Sequence, residues 1–313
     1  MKIKGALVPA LTFFDKDGNI DENYQLKHMD WVLANGVNGL FVTGTYGSGY
    51  LMTPEQRVEI FKMAKIVSRA HPGSFVVAHV GANDTNSSVY LTKYARDLGL
   101  DAVSAVNPYT FKYRDDELVG YYRDIVEAAG DMPVFAYNNP SLTSKAIDIE
   151  LVKKFSAVGV KAMKDSSLNR DLANSIKEFS ANEGVEFEYI SGSTKDWPYF
   201  NSIGVKAMIA GACNYAPDLV ASMYRLSQTA DHETFVRASD MVNHISDFIK
   251  VGNSLISSHL ALTSRGYEVP YMKKPLICPY EEYKDKIRED AEEISKAVEL
   301  IKELDPEYRY VEM

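Results

Sequence analysis

Eight short runs of apolar and β-branched residues recur along this chain, at 6–14, 39–43, 75–80, 102–106, 133–137, 158–163, 188–191 and 206–210. Between them lie longer stretches, such as 54–70, 87–98, 115–129, 148–156 and 172–183, whose apolar residues return every three or four positions. Continuous apolar runs are the pattern of strands buried on both faces, and the three-to-four spacing is that of amphipathic helices. Strands separated by whole helices cannot pair through hairpins, so they form parallel βαβ units. Eight such units fit a closed (β/α)8 TIM barrel better than an open doubly wound sheet. An open sheet has fewer units and opens on a Gly-x-Gly-x-x-Gly turn, which this chain lacks. After about Pro217 the strands stop, and 218–228, 233–250, 253–264 and 280–303 read as helices, with Pro270, Pro275 and Pro279 interrupting. The expected class is therefore α/β, with a barrel over 1–228 and a C-terminal helical extension over 229–313. No low-complexity linker separates the two, so the extension is expected to pack on the barrel.

Charge and composition exclude several partners. With 313 residues, 46% apolar and 25% charged, the chain has material for a sizeable core. A formal net charge of -9 argues against nucleic acid or an anionic membrane as main partner, since both require basic surface. No apolar run approaches the ~20 residues of a membrane span, and the N-terminal apolar stretch is too short for a signal peptide. Cys213 and Cys278 have no metal-type spacing and make no disulfide framework, which points to a reducing cytoplasm. The six histidines are scattered, without an HExxH or similar cluster, so no metal is expected.

In a parallel barrel the chemistry sits at the C-terminal strand ends. Those ends read Gly44-Thr45-Tyr46-Gly47, Asn107-Pro108-Tyr109-Thr110, Tyr137-Asn138-Asn139-Pro140, Lys164-Asp165-Ser166-Ser167, Ser191-Gly192-Ser193-Thr194-Lys195 and Gly211-Ala212-Cys213-Asn214. Each has a plain structural reading. The first is a turn in which glycine supplies positive φ; Tyr137 caps a strand before a turn; Lys164 is a strand-end lysine paired with Asp165. Lys161, three residues earlier, falls on the opposite face by period-two alternation and is assigned to structure. Together the ends point further. A lysine desolvated in an apolar run has a lowered pKa and forms Schiff bases with ketones. A tyrosine at the adjacent strand end supplies a proton shuttle, Thr45 could hand protons along from its hydroxyl, and a glycine turn offers backbone N–H groups to a small carboxylate.

This ordered set resembles the family of dihydrodipicolinate synthase and N-acetylneuraminate lyase, the pyruvate-dependent class I aldolases. The resemblance covers nearly the whole chain. It includes Gly44-Thr45-x-Gly47, Leu51-x-Thr53-x-Glu55, Val80-Gly81-Ala82-Asn83-Asp84-Thr85, Tyr137-Asn138-x-Pro140, Lys164-Asp165-Ser166-Ser167, Ser191-Gly192, Asn214 before Pro217, and Lys273-Lys274-Pro275-Leu276. It implies a lyase with no metal or organic cofactor, forming a covalent imine between pyruvate and Lys164. Tyr137 would be the general acid/base and Thr45 its relay partner. The Thr45–Tyr46 backbone would hold the pyruvate carboxylate. Tyr109, Thr110, Leu142, Ser166, Ser193, Lys195 and Ile209 would face substrate. The family likeness further implies a homotetramer.

The chain departs from the family pattern at several of these positions. Tyr46 replaces a second Thr or Ser of the turn, and Ser48 replaces a Glu. Thr110 stands where the synthases have a second tyrosine, which weakens the relay. Leu142 stands where they place an Arg for the aldehyde substrate's carboxylate, and a missing Arg is hard to replace at a bidentate site. Thr194 and Lys195 stand where sialic acid lyases carry Asp-Glu; Lys195 could instead meet a substrate carboxylate, or remain a solvated loop lysine. The leading expectation is cleavage or condensation of a 2-keto-3-deoxy sugar acid, or an N-acetylneuraminate-like acid, as pyruvate plus an aldehyde. The alternatives are a dihydrodipicolinate synthase-like condensation, a Schiff-base keto-acid dehydratase, and a barrel that binds a keto acid without turning it over.

Overall fold

The computed structural model describes residues 3–313. Eight parallel strands close in sequence order into one barrel. They are β1 (Gly5–Pro9), β2 (Gly39–Val42), β3 (Phe75–His79), β4 (Ala102–Val106), β5 (Val134–Asn138), β6 (Ala162–Asp165), β7 (Glu188–Ser191) and β8 (Ala207–Ile209). The helix after each strand, from α1 to α8, spans Glu22–Ala34, Pro54–Ala70, Thr85–Asp97, Asp115–Ala129, Ile149–Ala157, Arg170–Glu183, Trp197–Ser202 and Pro217–Thr229. Closure occurs where Leu7 pairs with Gly39 on one side and Ile209 on the other. Asn214 reinforces that seam: its side chain accepts from the Leu11 N–H and donates to the Pro9 carbonyl.

Polar residues at the helix starts set the boundaries. Asp84, Asp148 and Asn169 each accept a backbone N–H of the helix that follows. Thr53 and Gln56 form a reciprocal capping box ahead of α2, with Pro54 at its first position. Such caps each contribute about 1 kcal/mol. Side chains of alternate strand residues divide the core in two. One set packs against the helices. The other fills the barrel: Leu7, Phe41, Val77, Ala102, Val106, Phe135, Tyr137, Ala162, Ile190, Ala207 and Ile209, joined by Ile3.

Two strands differ from their sequence expectation. β1 ends at Pro9, and Phe14 instead bridges Ile20 and Tyr271. Residues 158–161 precede β6: Val158 caps α5, Gly159 has a φ of 107°, and the Val160 N–H still bonds to Phe155. Hydrophobicity continues from the turn into the strand, so the apolar run alone does not mark where β6 begins.

Beyond α8 come α9 (His232–Phe248), α10 (Ser254–Ser264) and α11 (Lys284–Leu304); α11 packs on both α9 and α10, and α9 and α11 also pack against α8. Asp218 of α8 takes the buried Arg265 guanidinium at 2.7 Å and the Tyr308 hydroxyl at 2.7 Å. The chain end returns to α1, where the Trp31 indole donates to the Val311 carbonyl. No helix among the described residues is long and apolar enough to cross a membrane.

Candidate functional site

β5 and β6 are adjacent, and Tyr137 is in register with Lys164, one step inside the pair Asn138 and Asp165. By strand alternation Tyr137 and Lys164 point into the barrel, and Asn138 and Asp165 point out of it. Lys164 is 4% exposed. Its Nζ stands 4.2 Å from the centroid of the Phe41 ring and 4.3 Å from that of Tyr137. The pairing of Lys164 with Asp165 does not form. The Asp165 carboxylate accepts instead from Asn138 at 2.8 Å, Ser167 at 2.7 Å and Tyr189 at 2.9 Å. Lys161 is exposed, at the N-terminal approach to β6.

Burial lowers the Lys164 pKa, while the neighbouring Tyr137 phenol opposes that shift. For Tyr137, burial alone would raise the pKa; the Lys164 charge and hydrogen bonds from Ser166, Thr45 and Asn139 carry it below the ordinary tyrosine range. These two shifts describe one shared proton. An amine beside a phenol and an ammonium beside a phenolate carry the same number of protons. The direction we assign is a Lys164 amine more easily neutral than an exposed lysine, because the surrounding rings cannot solvate its charge.

Three side chains surround the Tyr137 hydroxyl. Asn139 Nδ2 donates at 3.1 Å, Ser166 Oγ lies at 3.5 Å, and Thr45 Oγ1 at 3.4 Å. Thr45 belongs to the turn after β2, where the left-handed residues are Thr43 (φ 57°) and Ser48 (φ 54°), not the glycines. The glycines serve close approach: a Cβ on Gly49 would sit 1.8 Å from the Thr43 carbonyl oxygen, and one on Gly44 would sit 2.5 Å from the Phe41 ring. The Ser48 and Gly49 N–H groups bond back to Thr45 and Gly44. Those of Thr45, Tyr46 and Gly47 have no partner among the described residues, leaving donors for an anion beside Lys164. The turn passes into a single 3-10 turn (Gly49–Leu51) before α2 begins, so the donors belong to the turn and not to a helix start.

The remaining expected site residues divide. Ile209 is fully buried in the barrel, in the same cluster as Phe41, Tyr137 and Ile190. Tyr109 is half-buried against that cluster. The Tyr46 side chain leaves the site: its hydroxyl would lie 2.1 Å from a Cβ on Gly211, and it reaches Ser254 of α10. Tyr46 and Ser193 line a cavity of about 170 Å³ between the ends of β7 and β8 and the α9–α10 segment. Thr110 is exposed, with only its backbone held by Asn83. Leu142 is 36% exposed on the loop after β5. Lys195 is an exposed loop lysine whose Nζ pairs with Asp247 of α9 at 2.6 Å. Thr194 is buried and bonds Asn243 of the same helix at 3.0 Å. The two departures after β7 therefore fasten that loop to α9.

Phe41, Asn139 and Tyr50 are site residues that sequence reasoning passed over. Phe41 was legible from parity, being two residues before Thr43 on a strand whose alternate positions face inward. Asn139 sat in the variable position of Tyr137-Asn138-x-Pro140. Tyr50 carried no pattern; the 3-10 turn folds it inward, where its ring meets His79 at 5.6 Å and Tyr109 at 5.2 Å between centroids.

Comparison with known proteins agrees with this architecture. The family model described as the dihydrodipicolinate synthetase family matches residues 2–294. A 4-hydroxy-tetrahydrodipicolinate synthase of Bartonella bacilliformis is 26% identical over 279 residues, 88% of this chain and 92% of the relative. Among solved structures, a variant of the Sulfolobus solfataricus 2-keto-3-deoxygluconate aldolase superposes with a TM-score of 0.86 at 23% identity, covering 97% of this chain and all of that one. The Ruminococcus gnavus sialic acid aldolase superposes at 0.85 with 24% identity, covering 95% of this chain and 98% of that one.

Proposed function

The chain belongs to the dihydrodipicolinate synthetase family, whose members are lyases, and we propose that it cleaves or forms a 2-keto-3-deoxy acid through a pyruvate imine on Lys164. The observation that carries this reading is a buried lysine with no carboxylate partner among the described residues, in register with a tyrosine whose hydroxyl accepts from Asn139 and lies near Thr45 and Ser166.

The neutral Lys164 amine attacks the ketone carbon of pyruvate. The carbinolamine then loses its hydroxyl as water, taking a proton from Tyr137, and leaves a cationic imine. Pyruvate's carboxylate rests on the free N–H groups of Thr45, Tyr46 and Gly47. In the cleavage direction, Tyr137 as phenolate takes the proton of the C4 hydroxyl. The C3–C4 electron pair moves into the imine, an enamine forms, and the aldehyde departs. The same phenol exchanges the C3 proton between enamine and imine, and water then hydrolyses the imine to pyruvate and free Lys164. Positioned proton transfer of this kind contributes about 10²–10⁴-fold.

For the choice of substrate, Leu142 offers no cation to a second carboxylate, and Lys195 is engaged by Asp247. That favours an aldehyde without a carboxylate near either position. The family likeness also carries the expectation of a homotetramer, and the lack of a disulfide framework at Cys213 and Cys278 that of a cytoplasmic location. The test is incubation with pyruvate and borohydride, followed by digestion and mass spectrometry. The adduct belongs on Lys164; an adduct on Lys161, or none, overturns the mechanism.

A further inference from the structure

We propose that the Tyr46 side chain, seated on Gly211, is the wall that sets how long an aldehyde this site accepts. This inference rests on the imine mechanism above and names what that site takes: a short hydroxyaldehyde in place of a six-carbon sugar. Tyr46 is the departure from the family pattern that adjoins Thr45.

The space it closes lies directly above the barrel interior. Ile190 of β7 and Ile209 of β8 help fill that interior, and Ile190 is in register with Lys164. Two residues further along each strand, on the same face by the period of two, come Gly192 and Gly211. Both line the cavity of about 170 Å³ at the ends of β7 and β8. The loop after β7 rests on the loop after β6, where a Cβ on Gly192 would sit 2.5 Å from the Asp165 carbonyl oxygen and 2.8 Å from Ser166. The cavity is therefore the next layer above Lys164 on the neighbouring strands. A volume of about 150 Å³ holds a six-carbon ring, and the wall is rich in hydroxyl-bearing residues, among them Ser193, Thr194, Ser254 and Ser258. Such a space suits the tail of a polyhydroxylated substrate, yet neither Lys164 nor Tyr137 borders it. Tyr46 stands at the join. Its N–H is one of the free donors beside Lys164, and the same residue lines the cavity. The turn leans on β1 through Gly47, where a Cβ would lie 3.0 Å from the Ala10 carbonyl oxygen. From there the Tyr46 ring passes the end of β1 and reaches the end of β8. The three atoms nearest to a Cβ built on Gly211 are the hydroxyl and two ring carbons of Tyr46. Only glycine leaves room for the phenol there. A carbon chain growing beyond C4 toward β7 and β8 meets this ring before it reaches the cavity.

The test compares wild type with Tyr46→Thr, Tyr46→Phe, Gly211→Ala and the double variant of Tyr46→Thr with Gly211→Ala. Every variant keeps the backbone N–H of residue 46, and threonine is a residue type the family pattern carries there. Condensation of pyruvate with glyceraldehyde and with mannose gives two kcat/KM values, and their long-to-short ratio cancels any change common to both. The ratio should rise at least ~10-fold in Tyr46→Thr, the low end of discrimination by pocket shape, and stay within about twofold of wild type in Tyr46→Phe, which keeps the ring. Melting curves test the seat separately. Gly211→Ala should lower Tm in the wild-type background and not in the Tyr46→Thr background, because the two side chains compete for one space. An unmoved ratio in Tyr46→Thr, an equal rise in Tyr46→Phe, or an equal Tm loss in both backgrounds overturns the wall. Borohydride trapping with pyruvate keeps the two readings apart. If wild type is trapped on Lys164 and the ratio does not move, only the wall falls; if wild type is not trapped, the imine mechanism falls with it.

Discussion

Replacing Tyr137 with phenylalanine separates the two halves of the proposed chemistry. The ring that packs against Phe41 and His79 is kept, and only the hydroxyl is removed. The proton transfer proposed for it is lost, so exchange at pyruvate C3 should slow by about 10²–10⁴-fold, or about 3–5 kcal/mol in the barrier. Asn139, a buried amide, loses its 3.1 Å acceptor. An unsatisfied buried donor costs about 1–3 kcal/mol, a fall of a few degrees in Tm for a chain of this size. The contacts from Thr45 and Ser166, at 3.4 and 3.5 Å, are too long to add much. The third effect has a definite sign. Tyr137 opposes the burial-driven lowering of the Lys164 pKa, so without the hydroxyl the amine is neutral down to a lower pH. The pH midpoint of borohydride trapping should therefore move down in Tyr137→Phe, while the adduct itself persists. Mass spectrometry of trapped protein from pH 6 to 9, with proton NMR of pyruvate in deuterated water, measures both. Equal loss of trapping and exchange, or a midpoint that moves up, would refute the shared-proton argument.

Two further outcomes follow from buried titratable groups. Lys164→Met should abolish trapping yet raise Tm, since it removes an amine held among rings without a counter-charge; a gain of ~1–3 kcal/mol is expected by calorimetry, and a clear loss would show that the lysine contributes to packing or pairing. His28 and His259 sit with Phe13 in one aromatic cluster, and burial lowers their pKa values to about 4 and about 3. Both take up protons near pH 6.5 when unfolded and far lower when folded. The stability they leave intact above that pH is lost as it falls toward 4, by about 2 kcal/mol each between pH 7 and pH 5. Urea unfolding at the two pH values reads the difference, and an unchanged free energy would mean the histidines are hydrated.

The barrel and its lysine were legible because both rest on periodicities that neighbours reinforce. Eight apolar runs with helices between them leave few topologies, and the strand-end rule then selects Lys164 and Tyr137 from 34 basic residues and 20 tyrosines. The turn chemistry was legible only in part. Glycine at 44, 47 and 49 signalled a tight turn, but the strain sits on Thr43 and Ser48, because what the glycines relieve is contact with Phe41 and the Thr43 carbonyl. Side chains that reach across the fold were not legible at all. Tyr46 points to α10, and Lys195 and Thr194 meet α9, a helix that begins more than 30 residues later. A one-dimensional pattern contains no term for such contacts, so residues at substrate-binding positions could not be told from residues that fasten the C-terminal helices.

Strand parity explains why Lys164 has no carboxylate partner when a carboxylate is its next neighbour in sequence. In a closed barrel adjacent residues face opposite sides of the wall, so Asp165 can never reach the amine of Lys164 without breaking the strand. Asp165 instead joins Asn138, Tyr189 and the turn after β6 on the outer side. On the inner side the register leaves the amine a phenol and an aromatic ring. An ion pair with aspartate would have fixed the ammonium form and raised the pKa. A phenol can give or take one proton without changing the charge of the pair, which keeps the amine available to a carbonyl and leaves the proton within reach of the product. The adjacency that first reads as a salt bridge is thus what the barrel wall forbids, and that exclusion leaves the amine without a carboxylate, as the nucleophile proposed here requires.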